Sequence, residues 1–357
     1  MAALRFRGPV LPDGEVRDLY VVDGRVTYDR LASADLVAEG WIVPGLVDAH
    51  CHVGLDQHGA VPPDVQEQQA LADRDAGALL LRDCGSAADT SWMHQRDDLP
   101  RLIRAGRHIA RTRRYIPNFA HEIEPDDLPA YVAQEARRGD GWVKLVGDWI
   151  DRDAGDLTPS WTRPSLEAAM KVAHDNGARV TAHVFGEDAL PDLIGSGIDC
   201  IEHGTGLGAD LIDEMVANGV ALVPTARQLA NFPDYAQAGR SRFPAYAEHI
   251  DRLFETRRQV IGAAHDAGVP IYAGTDAGGV LPHGLIAEEV VELASYGLSS
   301  ADALGAASWR ARSWLGLDDN LAEGTTADLV VYGSDPLEDL TVLGKPARVV
   351  LRGAIVA

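Results

Sequence analysis

The 357-residue chain has few cysteines, and they are far apart. Cys51, Cys84 and Cys200 form no Cys-x-x-Cys pair and no dense pattern, so the spacing excludes a disulfide framework and a cysteine-based zinc motif. All three lie in apolar, strand-like runs. We therefore expect reduced thiols packed in the protein interior.

Long apolar runs and an excess of basic residues are also missing. No uninterrupted apolar stretch is long enough to cross a bilayer, and residues 1–8 contain no apolar signal core, which predicts a cytoplasmic protein that makes no membrane contact. Asp and Glu number 54 against 32 Lys and Arg, a formal charge of −22. This acidic balance argues against nucleic-acid binding, which requires a basic face.

Both ends of the chain contain short strand-like runs. Pro12-Asp13-Gly14 and Asp23-Gly24 separate apolar runs near the start, and Asp-Gly between such runs is typical of a hairpin turn. Similar runs occur at 327–332 and 347–353. The pattern predicts one small β-sandwich built from residues 1–42 and 322–357.

Between these ends, apolar runs alternate with helical stretches. The helical candidates Arg163–Asn176, Leu207–Asn218 and Ala245–Ala267 each end just before a glycine, which is a common C-terminal stop. Eight strand–helix units predict an α/β protein with a (β/α)₈ TIM barrel over residues 43–321. The eight runs are Ile42–Ala49, Ala78–Asp83, His108–Thr112, Trp142–Gly147, Ala178–His183, Cys200–His203, Val220–Pro224 and Pro270–Thr275.

Polar residues fall at the carboxyl ends of these runs, where a barrel of this kind carries its active site. His50 and His52 are two residues apart in one strand and therefore point to the same side. Alone, each histidine could be a structural hydrogen bonder and the aspartate a turn residue, but a lysine inside an apolar strand needs a partner or a changed chemical state. The shared placement favours one metal site made of His50, His52, Lys144, His183, His203 and Asp276.

These residues resemble the amidohydrolase superfamily of metal-dependent hydrolases. The matching stretches cover nearly the whole chain and are 43–52, Lys144, His183, Glu202-His203-Gly204, 274–278 and 322–331. Val143-Lys144-Leu145 resembles the branch of imidazolonepropionase-like enzymes that includes Xaa-Pro dipeptidases. The resemblance implies that CO₂ carboxylates Lys144, which bridges two divalent metal ions.

The same resemblance implies how the ligands divide between the two ions. One ion would be held by His50, His52, Lys144 and Asp276, and the second by Lys144, His183 and His203. Zinc is the expected metal, although these ligand types also accept manganese, iron or cobalt. Asp276 would be the catalytic residue: it would accept the proton of the water that becomes the metal-bridged hydroxide and later pass it to the leaving amine.

The implied reaction is hydrolysis of an amide-type C–N bond in a dipeptide, an N-acyl amino acid or a related small amide. His121 follows the third strand, where the resembling branch often carries Gly-Gly-His, but Phe119-Ala120 replaces the two glycines here. Arg227 follows the seventh strand and could hold a substrate carboxylate. His121 and Arg227 are therefore the predicted substrate contacts, with a solvated loop histidine and an ion-paired arginine as the open alternatives.

Two other functions compete with this interpretation. A mononuclear deaminase or an imidazolonepropionase-type cyclic amide hydrolase would use the same fold with one metal, and Lys144 argues against it because a single metal needs no bridging ligand. A barrel with a degenerate site would be a binding module, but all six candidate ligands are present. The habit of the family implies a homo-oligomer.

Overall fold

A computed structural model describes residues 3–357, so the first two residues of the predicted terminal unit lie outside it. In chain order, strands β1 to β21 span Leu4–Val10, Glu15–Val22, Arg25–Thr27, Asp35–Glu39, Trp41–Pro44, Leu46–Cys51, Leu55–Asp56, Gly59–Ala60, Ala78–Asp83, Arg101–Arg104, Ile109–Arg111, His121–Ile123, Trp142–Val146, Asp148–Asp151, Asp156–Pro159, Arg179–Val184, Cys200–His203, Ala221–Val223, Leu329–Tyr332, Arg348–Leu351 and Ala354–Ile355. Helices α1 to α11 span Pro63–Asp75, Leu128–Arg138, Arg163–Asp175, Leu190–Gly195, Ala209–Asn218, Ala226–Leu229, Phe232–Gly239, Pro244–Ala267, Ile286–Ser295, Ser300–Ala306 and Trp309–Trp314. Within the described range, none of these helices combines the length and apolar character that a membrane crossing requires.

The two ends of the chain meet in one sheet, in the strand order β21-β20-β19-β5-β1-β2-β3 with β4 beside β1. The antiparallel pairing of β19 with β5 joins the C-terminal strands to the N-terminal ones. Both hairpins predicted from Asp-Gly sequences occur, and Asp23 and Gly24 have φ values of 48° and 79°, as a tight primed turn requires. Phe6, Leu19 and Leu329 are fully buried beneath this sheet.

The middle of the chain contains parallel strands in sequence order. β6 pairs with β9 and β9 with β10, while β11, β13, β16, β17 and β18 pair successively. Six of these strands, β6, β9, β13, β16, β17 and β18, are buried along most of their length, which is usual for parallel strands covered by helices. Their shared direction places their carboxyl ends on the same side.

The first predicted run is two strands, and a strand that was not predicted precedes the third run. Gly45 separates β5, which belongs to the terminal sheet, from β6, which pairs with β9. The third run, predicted over His108–Thr112, is β11, which pairs with β13, and β10 is an additional strand that pairs with β9. The sequence prediction missed β10 because Arg101–Arg104 places arginines at both of its ends.

The eighth predicted run forms backbone hydrogen bonds to a strand on each side. Tyr272 N donates to Leu222 O at 3.0 Å, and Ala49 N donates to Ala273 O at 2.8 Å. The segment around residue 273 therefore lies hydrogen-bonded between β18 and β6. This places Asp276, just beyond it, beside the end of β6.

The three helices predicted to stop before a glycine are α3, α5 and α8. Their bounds differ from the predictions by two residues or fewer, and the following Gly177, Gly219 and Gly268 have φ values of 71°, 67° and 93°. A left-handed residue at this position satisfies terminal carbonyl groups, and glycine adopts it without a Cβ clash.

Candidate metal centre

The centre begins at the end of β6, whose residues are all buried. His50 Nε2 and His52 Nε2 lie 3.2 Å apart, because residues two apart in a strand project to the same side. Cys51 points away and places its Sγ 3.8 Å from Arg82 O. The two imidazoles therefore face one point, as the sequence predicted.

Asp276 joins them from the segment after the eighth run. Its Oδ1 lies 3.0 Å from His50 Nε2 and 3.0 Å from His52 Nε2. The backbone holds it in place, since Asp276 N donates to His50 O at 2.7 Å. Three ligand atoms about this far apart fit around one divalent ion at zinc bond lengths of roughly 2.0–2.2 Å.

His183 and His203 form a second group at the ends of the neighbouring strands β16 and β17. His183 Nδ1 lies 3.0 Å from His203 Nε2. The rings of His203 and His50 are 5.4 Å apart between centroids. The second group therefore lies directly beside the first, which is the arrangement that a pair of metal ions requires.

Outer contacts orient two of the histidines. His52 Nδ1 donates to Gly85 O at 2.8 Å, and His203 Nδ1 lies 2.6 Å from Thr225 Oγ1. In each ring the other nitrogen, Nε2, faces the centre. Such contacts fix the tautomer and ring orientation of a metal-binding histidine.

Strained backbone marks the same strand ends. His203, Thr225 and Asp276 have φ values of 68°, 51° and 59°. Histidine and aspartate tolerate the left-handed region moderately, but a β-branched threonine there is an outlier. Strain of this kind is concentrated at functional sites, where surrounding contacts hold it.

Lys144 lies fully buried in β13, and its Nζ contacts Glu202 Oε2. Glu202 Oε1 also accepts from Thr181 Oγ1 at 2.7 Å and from Arg82 Nη2 at 3.3 Å, and it lies 3.5 Å from His50 Nδ1. Neither Glu202 nor Arg82 was a predicted site residue. A charged residue inside each of two buried apolar strands was the available signal.

Burial sets the charge of these groups. Desolvation, helped by the charge of Lys144, lowers the pKa of His183 to about 3 and that of His50 well below its usual value. Desolvation also lowers the pKa of Lys144 to about 8. Burial alone would raise the pKa of Asp276, but the adjacent His50 and His52 hold it well below its usual value. Neutral imidazoles and an ionised carboxylate are the forms that bind metal.

A cavity of about 570 Å³ opens onto this centre through His52, His183 and Asp276. Its walls are mainly aromatic and apolar. The aromatic residues lining it are Tyr115, Phe119, Trp149, Phe185, Tyr235, Phe243 and Tyr246. A cavity of this volume beside the candidate ligands is suited to a small organic substrate.

The two predicted substrate contacts lie elsewhere. His121 Nε2 is 3.0 Å from Glu135 Oε1 on α2, and Arg227 Nε is 3.0 Å from Glu288 Oε2 on α9. Neither is among the residues that line the cavity. The structure therefore brings together His50, His52, His183, His203 and Asp276, and Lys144 is joined to His50 through Glu202. His121 and Arg227 instead contact acids outside the cavity.

His108 lies beside the site, although no sequence pattern indicated it. Its ring is fully buried and stacks 4.9 Å from that of His52. Desolvation holds its pKa well below the usual value, and neither ring nitrogen has a hydrogen-bond partner among the described residues. His108 therefore contributes a neutral ring that packs behind a candidate ligand.

The amino-acid sequence is similar to those of known proteins over nearly its whole length. The sequence profile described as "Amidohydrolase family" matches residues 41–356. Uncharacterized proteins of Mycobacterium tuberculosis (strain ATCC 25618 / H37Rv) and Mycobacterium bovis (strain ATCC BAA-935 / AF2122/97) are each 56% identical over 352 residues, covering 98% of this chain and 95% of the relative.

Solved structures match the fold over the whole chain. A Xaa-Pro dipeptidase with bound methionine in its active site has a TM-score of 0.82 at 21% identity, covering 99% of both chains. The A. niger ochratoxinase has a TM-score of 0.79 at 19% identity, covering 99% of this chain and 96% of that one. At these identities the likeness establishes a shared fold of the amidohydrolase type.

Proposed function

The chain belongs to the amidohydrolase family, as its strand-end motifs predicted, and we propose that it is a metal-dependent hydrolase that cleaves an amide-type C–N bond. One observation carries the proposal. Side chains from three strands and from the segment after the eighth run converge beside one cavity, and Lys144 of a fourth strand joins them through Glu202. The converging side chains are His50, His52, His183, His203 and Asp276.

The proposed cofactor is a pair of divalent metal ions, with zinc as the expected metal. His50, His52 and Asp276 would hold one ion, and His183 and His203 would hold the other. Lys144 would bridge the two after carboxylation by CO₂, which turns its buried ammonium into an anionic oxygen ligand. The spacings of 3.0–3.2 Å within the first group and 3.0 Å within the second support this division.

The chain's own residues would then carry the proton transfers. When bound, the metal ions would supply Lewis acidity for the scissile carbonyl and lower the pKa of the attacking water. Asp276, ionised and exposed to the cavity, would accept a proton from that water and later donate it to the leaving amine. The aromatic walls would limit the access of bulk water.

We also propose how the strands are arranged as a whole. We take the parallel strands as a complete (β/α)₈ TIM barrel over residues 43–321, and the sheet of the chain ends as a small β-sandwich from residues 1–42 and 322–357. The hydrogen bonds on both sides of residue 273 support closure of the barrel. Pairing of β19 with β5 supports a terminal unit built from both ends of the chain. We also propose that the protein is a homo-oligomer.

The proposed substrates are dipeptides, N-acyl amino acids and related small amides. Support comes from the shared fold with a Xaa-Pro dipeptidase and an ochratoxinase. The volume of the cavity, about 570 Å³, is sufficient for a substrate of this size. Dipeptidase activity is one member of this class.

The test is the substitution Asp276→Asn. Asparagine tolerates the left-handed backbone of this position, so we expect a folded protein with similar metal content. Turnover should fall by about a hundredfold or more, because asparagine cannot shuttle the proton. Steady-state hydrolysis of an amide panel and elemental analysis of metal check this. Asp210→Asn, on the exposed start of α5, is the matched control, and near-normal turnover of Asp276→Asn would refute the assignment.

One observation favours a second candidate, a mononuclear deaminase or cyclic amide hydrolase. The contact between Lys144 and Glu202 neutralises the buried ammonium without carboxylation. A single metal on His50, His52 and Asp276 would then suffice. About two metal equivalents per chain support the dinuclear hydrolase, and one equivalent supports this alternative.

A further inference from the structure

The cavity contains one charged side chain besides the candidate metal ligands. This side chain is Arg242, and the remaining lining residues in the described range are neutral. Its guanidinium lies 5.0 Å from the centre of the Phe243 ring, which also lines the cavity. A cationic group at an otherwise apolar wall favours an anionic substituent on the substrate.

Arg242 is exposed to solvent and has no ion-pair partner among the described residues. No carboxylate among residues 3–357 lies within ion-pair distance of it, whereas its neighbour Arg240 pairs with Asp251 at 2.6 Å. Arg227, which the sequence suggested for carboxylate binding, is paired with Glu288. Of these three arginines, Arg242 is the one whose guanidinium is free for a ligand and borders the cavity.

A tight corner between α7 and α8 places Arg242 at the cavity rim. Arg242 N and Phe243 N both donate to Gly239 O, at 3.0 and 2.7 Å. A Cβ on Gly239 would lie 2.9 Å from Cδ1 of Tyr246, so the corner packs closely on that ring. The backbone of Arg242 is therefore held by a packed corner, from which its exposed side chain extends at the cavity rim.

The aromatic part of the cavity wall suits a planar apolar group. Tyr115 and Trp149 pack edge to face with ring centroids 4.8 Å apart, and Phe185 packs in the same way on Phe232 at 4.7 Å. Aromatic walls of this kind favour another ring by burial and by edge-to-face contacts. The chain's net charge of −22 disfavours polyanions, so one arginine is suited to a single negative charge.

From these observations we infer that the substrate is an amide with a bulky aromatic group and a carboxylate, and that Arg242 binds the carboxylate. This inference rests on the proposed hydrolase function and specifies its substrate class. The aromatic group occupies the cavity walls, the scissile carbonyl faces His52, His183 and Asp276, and the carboxylate lies at the rim. Arg242 is therefore a specificity-determining residue.

The kinetic test compares N-benzoyl-L-phenylalanine with N-benzoyl-L-phenylalaninol, in which a hydroxymethyl group replaces the carboxylate. Arg242→Met should raise KM for the acid by about tenfold to a hundredfold and leave kcat nearly unchanged. The values for the alcohol should change less than twofold. N-acetyl-L-alanine, which lacks the aromatic groups, should be a much poorer substrate of the unchanged enzyme.

Two arginine variants serve as controls. Arg240→Met and Arg227→Met remove guanidinium groups that are already paired, so both should behave like the unchanged enzyme towards acid and alcohol. A carboxylate-selective effect in Arg227→Met, or an equal loss for acid and alcohol in Arg242→Met, would overturn the inference.

A binding experiment separates this inference from the proposed function. Calorimetric titration of metal-loaded Asp276→Asn with the same acid and alcohol requires no turnover. The acid should bind about tenfold or more tightly than the alcohol, and Arg242→Met in this background should abolish the difference. If no amide is hydrolysed but this preference is found, the hydrolase proposal fails and the carboxylate site stands. Equal affinities for acid and alcohol defeat the carboxylate site.

Discussion

At the scale of single residues, the two glycines of the Gly-Thr-Asp-Ala-Gly sequence allow Asp276 to lie beside the paired histidines. A Cβ on Gly274 would lie 2.5 Å from His50 Cβ, and one on Gly278 would lie 2.1 Å from His52 O. Gly278 also has a φ of 107°. Only glycine permits the backbone on either side of Asp276 to approach β6 this closely, and this approach brings the carboxylate to both histidines.

Glu202 is the residue on which the buried charges depend. Replacing it with glutamine leaves Lys144 and Arg82 as buried cations without their shared anion. We expect Glu202→Gln to lower the free energy of unfolding of the metal-free protein by about 3–5 kcal/mol, measured by urea denaturation.

The matched control for this prediction is Glu292→Gln. Glu292 pairs with Arg258 at 3.1 Å on the surface, so its loss should cost about 1 kcal/mol or less. Similar small losses in both variants would contradict the importance of the buried pair. A smaller effect of Glu202→Gln in the metal-loaded protein would support carboxylation of Lys144, because Glu202 would then face an anion.

At the scale of elements, parallel strands assemble the centre and helices build the cavity rim. β16 and β17 are adjacent parallel strands, and their register places His183 and His203 side by side at their carboxyl ends. The corner between α7 and α8 supplies Arg242. Ligands therefore come from the rigid strands, whereas the candidate specificity residue comes from the connection between two helices, as is common in barrels.

The loop after Asp276 is tied to α1 by a histidine that titrates. His283 Nδ1 lies 2.7 Å from Asp73 Oδ2, and Gly284 N donates to Asp73 Oδ1 at 2.7 Å. Burial alone would lower the pKa of His283, but the carboxylate of Asp73 raises it above the usual value of 6.5. Protonated His283 therefore stabilises the folded state.

This stabilisation should depend on pH in one direction. It is complete below pH 6.5, the unfolded value, and is lost as pH rises through the higher folded pKa. We expect the difference in unfolding free energy between the unchanged protein and His283→Gln to decrease as pH rises above 6.5. Denaturation curves across this range test it. A difference that does not vary with pH would contradict it, and exposed His58→Gln is the control.

At the scale of the whole molecule, metal binding and folding should be linked. The candidate ligands come from distant parts of the chain, so the complete site exists only in the folded state, and metal at 100 times its Kd would stabilise that state by about 2.7 kcal/mol. Treatment with a chelator should lower Tm by several degrees, and zinc should restore it. Thermal unfolding checks this, and a double variant His50→Ala/His52→Ala should lose most of the response. Equal Tm values with and without metal would count against a resident ion.

The sequence by itself determined the family, the alternating strands and helices, and the six candidate ligands. It could do so because strand periodicity is local, and because parallel strands bring residues at their ends to one side regardless of their distance along the chain. The paired histidines, the hairpins at the start of the chain and the glycine stops of three helices followed from the same local rules.

Only the tertiary structure decided which charges meet. Lys144 contacts Glu202, 58 positions along the chain, and Arg82 reaches the same carboxylate across 120 positions. His121 begins β12 and Arg227 lies in α6, and both contact acids on neighbouring helices, while Arg242 lines the cavity from a helix corner. Side-chain partners of this kind depend on packing between distant elements, and no local pattern specifies them.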